Sequence, residues 1–199
     1  MQAEIRNSQW HEIGMHYEHG ARVTYVYRVG QSGSWEPWVV VAESAILRRL
    51  GVRGLGLYAG RPFAEGNYVG KYDGRVVGHY DTRHEALSAP ETRRLLRQGH
   101  DKLVALRSRG AGFDLIDGQG GGPPHVERCN DPRGTALQPN TELSEYGWLH
   151  VTHARVPAFS LAKTVEQNAN AELRFSYGDD YWDVHALLGT DAAHAIEVD

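Results

Sequence analysis

The sequence predicts a mainly β protein carrying one small helical insert. Three observations lead there. Short stretches rich in β-branched and aromatic residues recur along the chain, at 23–29, 39–41, 67–72, 112–117 and 148–154. Glycine, proline and Asp-Gly clusters punctuate them at short intervals. Only residues 88–108 carry a convincing helical pattern.

Composition bounds the rest. A chain of 199 residues fits one domain, or one domain with an extension. Apolar residues make up 41% and charged residues 23%, ordinary proportions for a globular protein. No apolar run approaches the roughly 20 residues of a membrane span. Met1-Gln2-Ala3-Glu4 does not begin a basic-then-apolar leader, so no secretory signal is expected. Cys129 is the only cysteine, which excludes an intramolecular disulfide and a cysteine zinc cluster within one chain, and favours a reducing compartment. A formal net charge of −4 argues against a general nucleic-acid binder. No Lys or Arg follows Arg174, whereas Asp179, Asp180, Asp183, Asp191, Glu197 and Asp199 do. That end is either a solvated acidic tail or a surface for a basic partner. Between Arg83 and Arg109 the balance is basic, as on a solvated helix face or a phosphate-contacting one.

The elements follow in order. Residues 1–22 carry little pattern. His11, His16 and His19 are close, but no carboxylate or cysteine completes an evident metal set, and no metal is expected. Val23–Val29 and Trp35–Val41 flank a Gly-Gln-Ser-Gly-Ser turn and form a β-hairpin. In Gly54-Leu55-Gly56 two side chains are missing beside a strand, so a ligand can lie against the backbone there; a plain turn is the competing reading. Asn67–Tyr72 is a strand ended by Asp73-Gly74, a hairpin-type dipeptide. Tyr72, at its end, belongs either to the core or to the wall of a channel. Ser88-Ala89-Pro90-Glu91 has the spacing of a capping box, with a helix running to about Gln98 and stopping at Gly99. A second short helix over 100–108 follows. Gly112–Gly118 is a strand and turn. Asn130 can donate and accept, so it either recognises a polar ligand or closes an Asx turn. Trp148–Ala154 is a strand, and Val156-Pro157-Ala158 a turn.

Asn170–Trp182 organises the whole. Glu172–Tyr177 reads as a strand stopped by Gly178, then an acidic turn and the pair Tyr181-Trp182. Alternation puts Leu173, Phe175 and Tyr177 on one face, with Arg174 and Ser176 on the other. A buried face ending in a tyrosine hydroxyl requires a partner for it, structural or reactive.

Four blocks thus occur in one order: Ser44 leading to Gly54-Leu55-Gly56-Leu57-Tyr58-Ala59; Tyr72-Asp73-Gly74; Arg128-Cys129-Asn130-Asp131 leading to Pro139-Asn140; and Glu172–Gly178. This order and spacing, over residues 39–182, resembles the SET-domain protein lysine methyltransferases. The resemblance implies several small β-sheets with the C-terminal segment threaded through a loop as a pseudoknot. It divides the chain into an N-terminal extension with the hairpin (1–38), a catalytic domain (39–182, with the helical insert at 79–112) and an acidic segment (183–199). It implies S-adenosylmethionine as methyl donor, with S-adenosylhomocysteine as product. The cofactor contacts it implies are Gly54, Leu55, Gly56, Arg128, Asn130 and Asp131, with Tyr181 or Trp182 over the adenine. Tyr177 becomes the catalytic tyrosine and Tyr72 a wall of the lysine channel. Phe175 stands where the family has Phe or Tyr; Phe leaves room for di- or trimethylation. The expected acceptor is a lysine of a basic protein, foremost a histone tail, which would place the protein in the nucleus.

These residue types suit the chemistry. A lysine, of pKa about 10.4, must lose its proton before it attacks. A narrow aromatic channel and a neighbouring sulfonium both disfavour the charged form. No strong base is then required. Three departures from the family stand out. Asp131 replaces the usual His, Ser176 replaces a common Asp, and no cysteine triplet follows Trp182. The site must therefore be closed by Trp182 and Leu187-Leu188, or by a second chain in a homodimer. A methyltransferase of a non-histone protein and a catalytically silent SET-like binding module are the alternatives.

Overall fold

In a computed structural model of the protein, residues 10–16, 22–30 and 32–187 are described here. The chain is mainly β, in several small antiparallel sheets. In order it forms β1 (Trp10–His16), β2 (Arg22–Val29), β3 (Trp35–Glu43), α1 (Ala45–Arg49), β4 (Leu55–Ala59), β5 (Phe63–Ala64), β6 (Tyr68–Lys71) and β7 (Arg75–Tyr80). There follow α2 (Arg83–Ser88), α3 (Pro90–Arg97), β8 (Leu103–Arg107), β9 (Phe113–Asp117), β10 (Thr141–Leu143), β11 (Trp148–Val151), β12 (Arg155–Val156) and α4 (Asp179–Leu187). Strands β1 to β4 form one antiparallel meander; β10-β11-β6, β12-β5 and β7-β9-β8 form the other sheets.

One core joins them. Val26, Val39 and Leu57 of the meander meet Val69, Leu106, Ile116, Leu149, Leu173 and Phe175. Each fully buried aliphatic side chain here contributes about 1.5–3 kcal/mol. The Trp38 indole crosses between sheets and donates to the Val69 carbonyl at 2.7 Å. The opposite face of the meander, with Val23, Val40 and Tyr58, is covered by Phe159 and Ala171. The run Val39-Val40-Val41 therefore needs no polar alternation, because β3 is covered on both faces. The predicted hairpin is present as β2 and β3. Strand β3 continues through position 38, so the expected 38/39 division falls inside a strand. Strand β1, in a region of little pattern, completes the sheet by pairing with β2. Asp73-Gly74 does not close a hairpin; β6 and β7 belong to different sheets.

The helical insert differs from expectation in three ways. The capping box lies at Thr82 and Glu85, opening α2, where the Thr82 hydroxyl accepts from Glu85 N at 3.1 Å and Glu85 Oε2 accepts from Thr82 N at 3.1 Å. Ser88 instead donates to the His84 carbonyl at 2.7 Å, so Ser88 and Glu91 form no box, and α3 begins on Pro90. Residues 103–107 form β8, not a helix, because their alternate apolar side chains pair with β9 and seal a small core under α2 and α3. Replacing Thr82 with Ala should lower stability by about 1 kcal/mol, measured by urea unfolding, whereas Ser88→Ala should change it much less.

Candidate functional site

The segment 172–177 is held from both sides. The expected strand is not formed: Glu172 makes an isolated antiparallel bridge to Tyr58, and Arg174 a parallel one to Asn130. Leu173 N donates to the Leu57 carbonyl at 2.7 Å. On the far side Asn140 N, Thr141 N and the Thr141 hydroxyl all donate to the Arg174 carbonyl, at 3.1, 2.9 and 2.7 Å. The Asn140 side chain accepts from Arg174 N and donates to the Glu172 carbonyl, at 2.8 and 2.9 Å. The expected polar face is therefore corrected at Arg174, which is buried, with its guanidinium spent on the carbonyls of Gln138 and Ala169. Backbone enclosed this way must find every partner within the protein.

Beyond Leu173 the chain enters a cavity of about 290 Å³. Tyr72, Phe175 and Tyr177 line it together, as do Cys129 and Tyr181. The ring centroids of Phe175 and Tyr177 are 5.0 Å apart, and those of Tyr177 and Tyr181 4.9 Å. Each phenol is anchored: Tyr177 donates to the Cys129 carbonyl at 2.9 Å, Tyr72 to that of Lys102 at 2.7 Å, and Tyr181 to that of Asp101 at 3.1 Å. Burial pushes the Tyr72 and Tyr177 hydroxyls well above the ordinary phenol value. They stay neutral, and with their protons committed to carbonyls they offer lone pairs as acceptors.

Of the residues assigned to the cofactor only Tyr181 lines this cavity; Gly54, Leu55, Gly56, Arg128, Asn130, Asp131 and Trp182 are not on its wall. The space left by Gly56 is taken by the Glu172 carboxylate, and that left by Gly54 by Leu47; both glycines thus answer to internal packing. Asn130 is buried, its Nδ2 within reach of Ser44 Oγ (3.1 Å), the Leu55 carbonyl (3.1 Å) and Glu172 Oε1 (3.3 Å). The buried Asp131 accepts from Arg133 N at 2.8 Å, Tyr177 N at 2.8 Å and Trp182 Nε1 at 3.0 Å. It therefore ties the aromatic pair to the segment carrying Tyr177. Trp182 stacks on Tyr177 at 11° between planes, and the Arg133 guanidinium lies over the Trp182 ring at 5.4 Å. Asp179 and Asp180, expected in an acidic turn before Tyr181-Trp182, instead open helix α4, in whose first turn negative charge is favoured. Leu55 is exposed and Gly54, Arg128 and Trp182 are half-buried, while the Gly54 carbonyl accepts from Ser44 N at 2.9 Å and the Leu55 carbonyl from Asn130 Nδ2 at 3.1 Å. Backbone groups, a cation and an aromatic face are what an amino-acid carboxylate and an adenine need.

Sequence reasoning missed two carboxylates. Glu172 is fully buried and organises Ser44, α1 and Asn130. Glu127 lies on the cavity wall. Glu172 carries no local signal, since its partners Ser44, Ala45 and Ile46 lie far back along the chain. Of the three histidines near the start, His19 lies outside the described residues, as do Leu188 and the acids Asp191, Glu197 and Asp199. Among the described residues no group of three His, Cys, Asp or Glu side chains is placed to hold a metal, and no helix is long and apolar enough to cross a membrane. No protein-family model matches the chain, and no curated protein is detectably similar to it.

Proposed function

We propose that the protein is an S-adenosylmethionine-dependent protein lysine methyltransferase with a SET-like fold, acting on a basic tail such as that of a histone. The observation that carries this reading is the buried Tyr177 hydroxyl on the Cys129 carbonyl, inside a cavity that Tyr72 and Phe175 share. The capture of residues 172–174 between β4 and the 130–141 segment supports the reading of a SET-like pseudoknot. When bound, the cofactor supplies an electrophilic methyl group on a sulfonium. The Gly54–Leu55 backbone, Arg128 and Trp182 would hold it, and Asp131 would act from within by fixing Trp182 and Tyr177. The Tyr72 and Tyr177 oxygens orient the amine through their lone pairs, and the Phe175 ring keeps water from that wall. The aromatic, low-dielectric surroundings favour the neutral amine that attack requires.

One observation favours a second reading. The Asn130 and Asp131 side chains are fully engaged inside the protein, which a silent binding module of this shape would also show. Mass spectrometry of core histones incubated with the protein and S-adenosylmethionine separates the two. Mass gains in methyl multiples are expected. The absence of transfer, together with no thermal stabilisation by S-adenosylhomocysteine, would leave only the binding module.

A further inference from the structure

Both nitrogens of the His125 imidazole face a carboxylate. Nε2 meets Glu12 of β1, 113 positions earlier in the chain, and Nδ1 stands 3.3 Å from Glu127 Oε1. The backbone aims the ring. Pro124 and Val126, on either side of His125, both pack where a Cβ at Gly70 of β6 would lie. With its neighbours turned to β6, His125 holds a left-handed backbone at φ 60° and reaches β1 instead. A non-glycine residue carries that cost where its surroundings enforce it.

Counting protons decides the charge of the ring. A carboxylate only accepts, and a neutral imidazole has one N–H. A neutral His125 would satisfy one carboxylate and turn a lone pair on the other, whereas the imidazolium donates to both. The charges of the cluster agree. Glu127, in the 3-10 turn Val126–Arg128, is only 1% exposed, so water screens it little. Its Oε2 has no donor among the described residues, which leaves its stabilisation to Oε1, with Arg128 Nε at 3.7 Å and His125. Two carboxylates are thus balanced by Arg128 and a charged His125. The strand packed on this turn, β6, presents the uncharged Gly70, and Asp73 stands at Gly122, where a Cβ would lie 3.6 Å from its carboxylate. Burial pulls the His125 pKa down, but its contacts with Glu127 and Glu12 outweigh burial and hold it above the ordinary value.

What the ring joins gives it a role. Strand β1 is an edge of the meander and pairs with β2 alone. The turn on the other side carries Glu127 of the cavity wall and ends at Cys129, whose carbonyl holds the Tyr177 hydroxyl. We propose that His125, as an imidazolium between Glu12 and Glu127, is a pH-sensitive clasp that ties β1 to the wall of the aromatic cavity and opens as the ring loses its proton. The clasp is independent of what the cavity binds. Its contribution to stability is fully present below the unfolded histidine value, near 6.5, and is lost as pH rises through the folded value.

The test is an NMR titration of the imidazole signals of the full chain, assigned through the backbone. His125 should titrate above about 6.5, and Glu12→Gln should bring it back toward that value. In urea unfolding, Glu12→Gln should lower the midpoint at about pH 6, and its deficit should shrink to less than about half of that at about pH 9.5. His125→Asn, which keeps a residue tolerant of the left-handed backbone, should show the same loss with pH. A His125 that titrates at or below the ordinary value in the unaltered protein would place the proton on a carboxyl and overturn the proposal, even where neither variant folds. A deficit of equal size at both pH values would overturn it too, since the contact would then be an ordinary hydrogen bond.

Discussion

Replacing Tyr177 with Phe is expected to lower methyl transfer about 100-fold while leaving the protein folded. Removing one preorganised polar group at a reacting centre typically costs about 10²–10³ in rate. The Tyr177 hydroxyl is such a group, held by the Cys129 carbonyl at 2.9 Å and kept neutral by burial. The ring itself has other support. It packs on Phe175, Tyr181 and Trp182, and its backbone N–H is fixed by Asp131 at 2.8 Å. Phenylalanine keeps all of this and leaves the Cys129 carbonyl without its donor, at a stability cost of about 1 kcal/mol. Single-turnover transfer to a lysine peptide, with a thermal melt of the same sample, gives both quantities. A variant that melts nearly as the parent does and transfers at an equal rate would show that the hydroxyl has only a structural role. A proportionate loss of both would point to the same conclusion.

The aromatic group of the site is legible in the sequence because it depends on local pattern. Alternation places Phe175 with Tyr177, and the family resemblance adds Tyr72 at the end of a predicted strand; the cavity gathers all three. What stays hidden depends on partners far along the chain. Arg174 reads as a polar-face residue until the carbonyls of Gln138 and Ala169 are seen to enclose it. Glu172 reads as the polar start of a strand, yet its carboxylate meets residues 126–128 positions earlier. Leu103–Arg107 is a short apolar run that periodicity alone cannot assign, and pairing with β9 decides for strand. Thr82-to-Glu85 and Ser88-to-Glu91 have the same capping spacing; the structure uses the first because the Ser88 hydroxyl turns back to His84. Strand β1 has no strong period of its own and exists through its pairing with β2. Gly54 and Gly56 read as places where a ligand can lie against the backbone, or as a plain turn; what occupies their Cβ positions is Leu47 and Glu172.

Glu172 carries the second large effect. Its two oxygens accept from Ser44 Oγ (2.5 Å), Ala45 N (2.9 Å), Ile46 N (3.1 Å) and Asn130 Nδ2 (3.3 Å). This one buried side chain therefore caps α1, closes the Ser44 turn and orients Asn130. Glu172→Ala would leave Ser44 Oγ and Ile46 N without their acceptor around a new void, while Ala45 N keeps the Tyr58 hydroxyl and Asn130 Nδ2 the Leu55 carbonyl, and about 3–5 kcal/mol of stability should be lost. Glu172→Gln offers one acceptor oxygen where two are needed and turns an NH₂ toward donors, so a loss of about 2 kcal/mol is expected. The pH dependence has a definite sign. Burial raises the Glu172 pKa, and its hydrogen bonds to Ser44, Asn130, Ile46 and Ala45 pull it back only in part. With the folded value above the unfolded one, the stabilising contribution of this group is fully present below the unfolded pKa, near 4.3, and is lost as pH rises through the folded value. Glu172→Gln should thus fall furthest behind the parent in acid, and the gap should narrow toward neutrality while keeping its sign. Gly56 supplies the control. A Cβ there would strike the Glu172 carboxylate and lie 3.1 Å from Ser44 Cβ, so Gly56→Ala should destabilise the parent more than it destabilises Glu172→Ala. Urea unfolding of the four proteins of this cycle measures the coupling directly. Strict additivity would mean that the carboxylate and the glycine are not paired, and that the site beside Asn130 is held some other way.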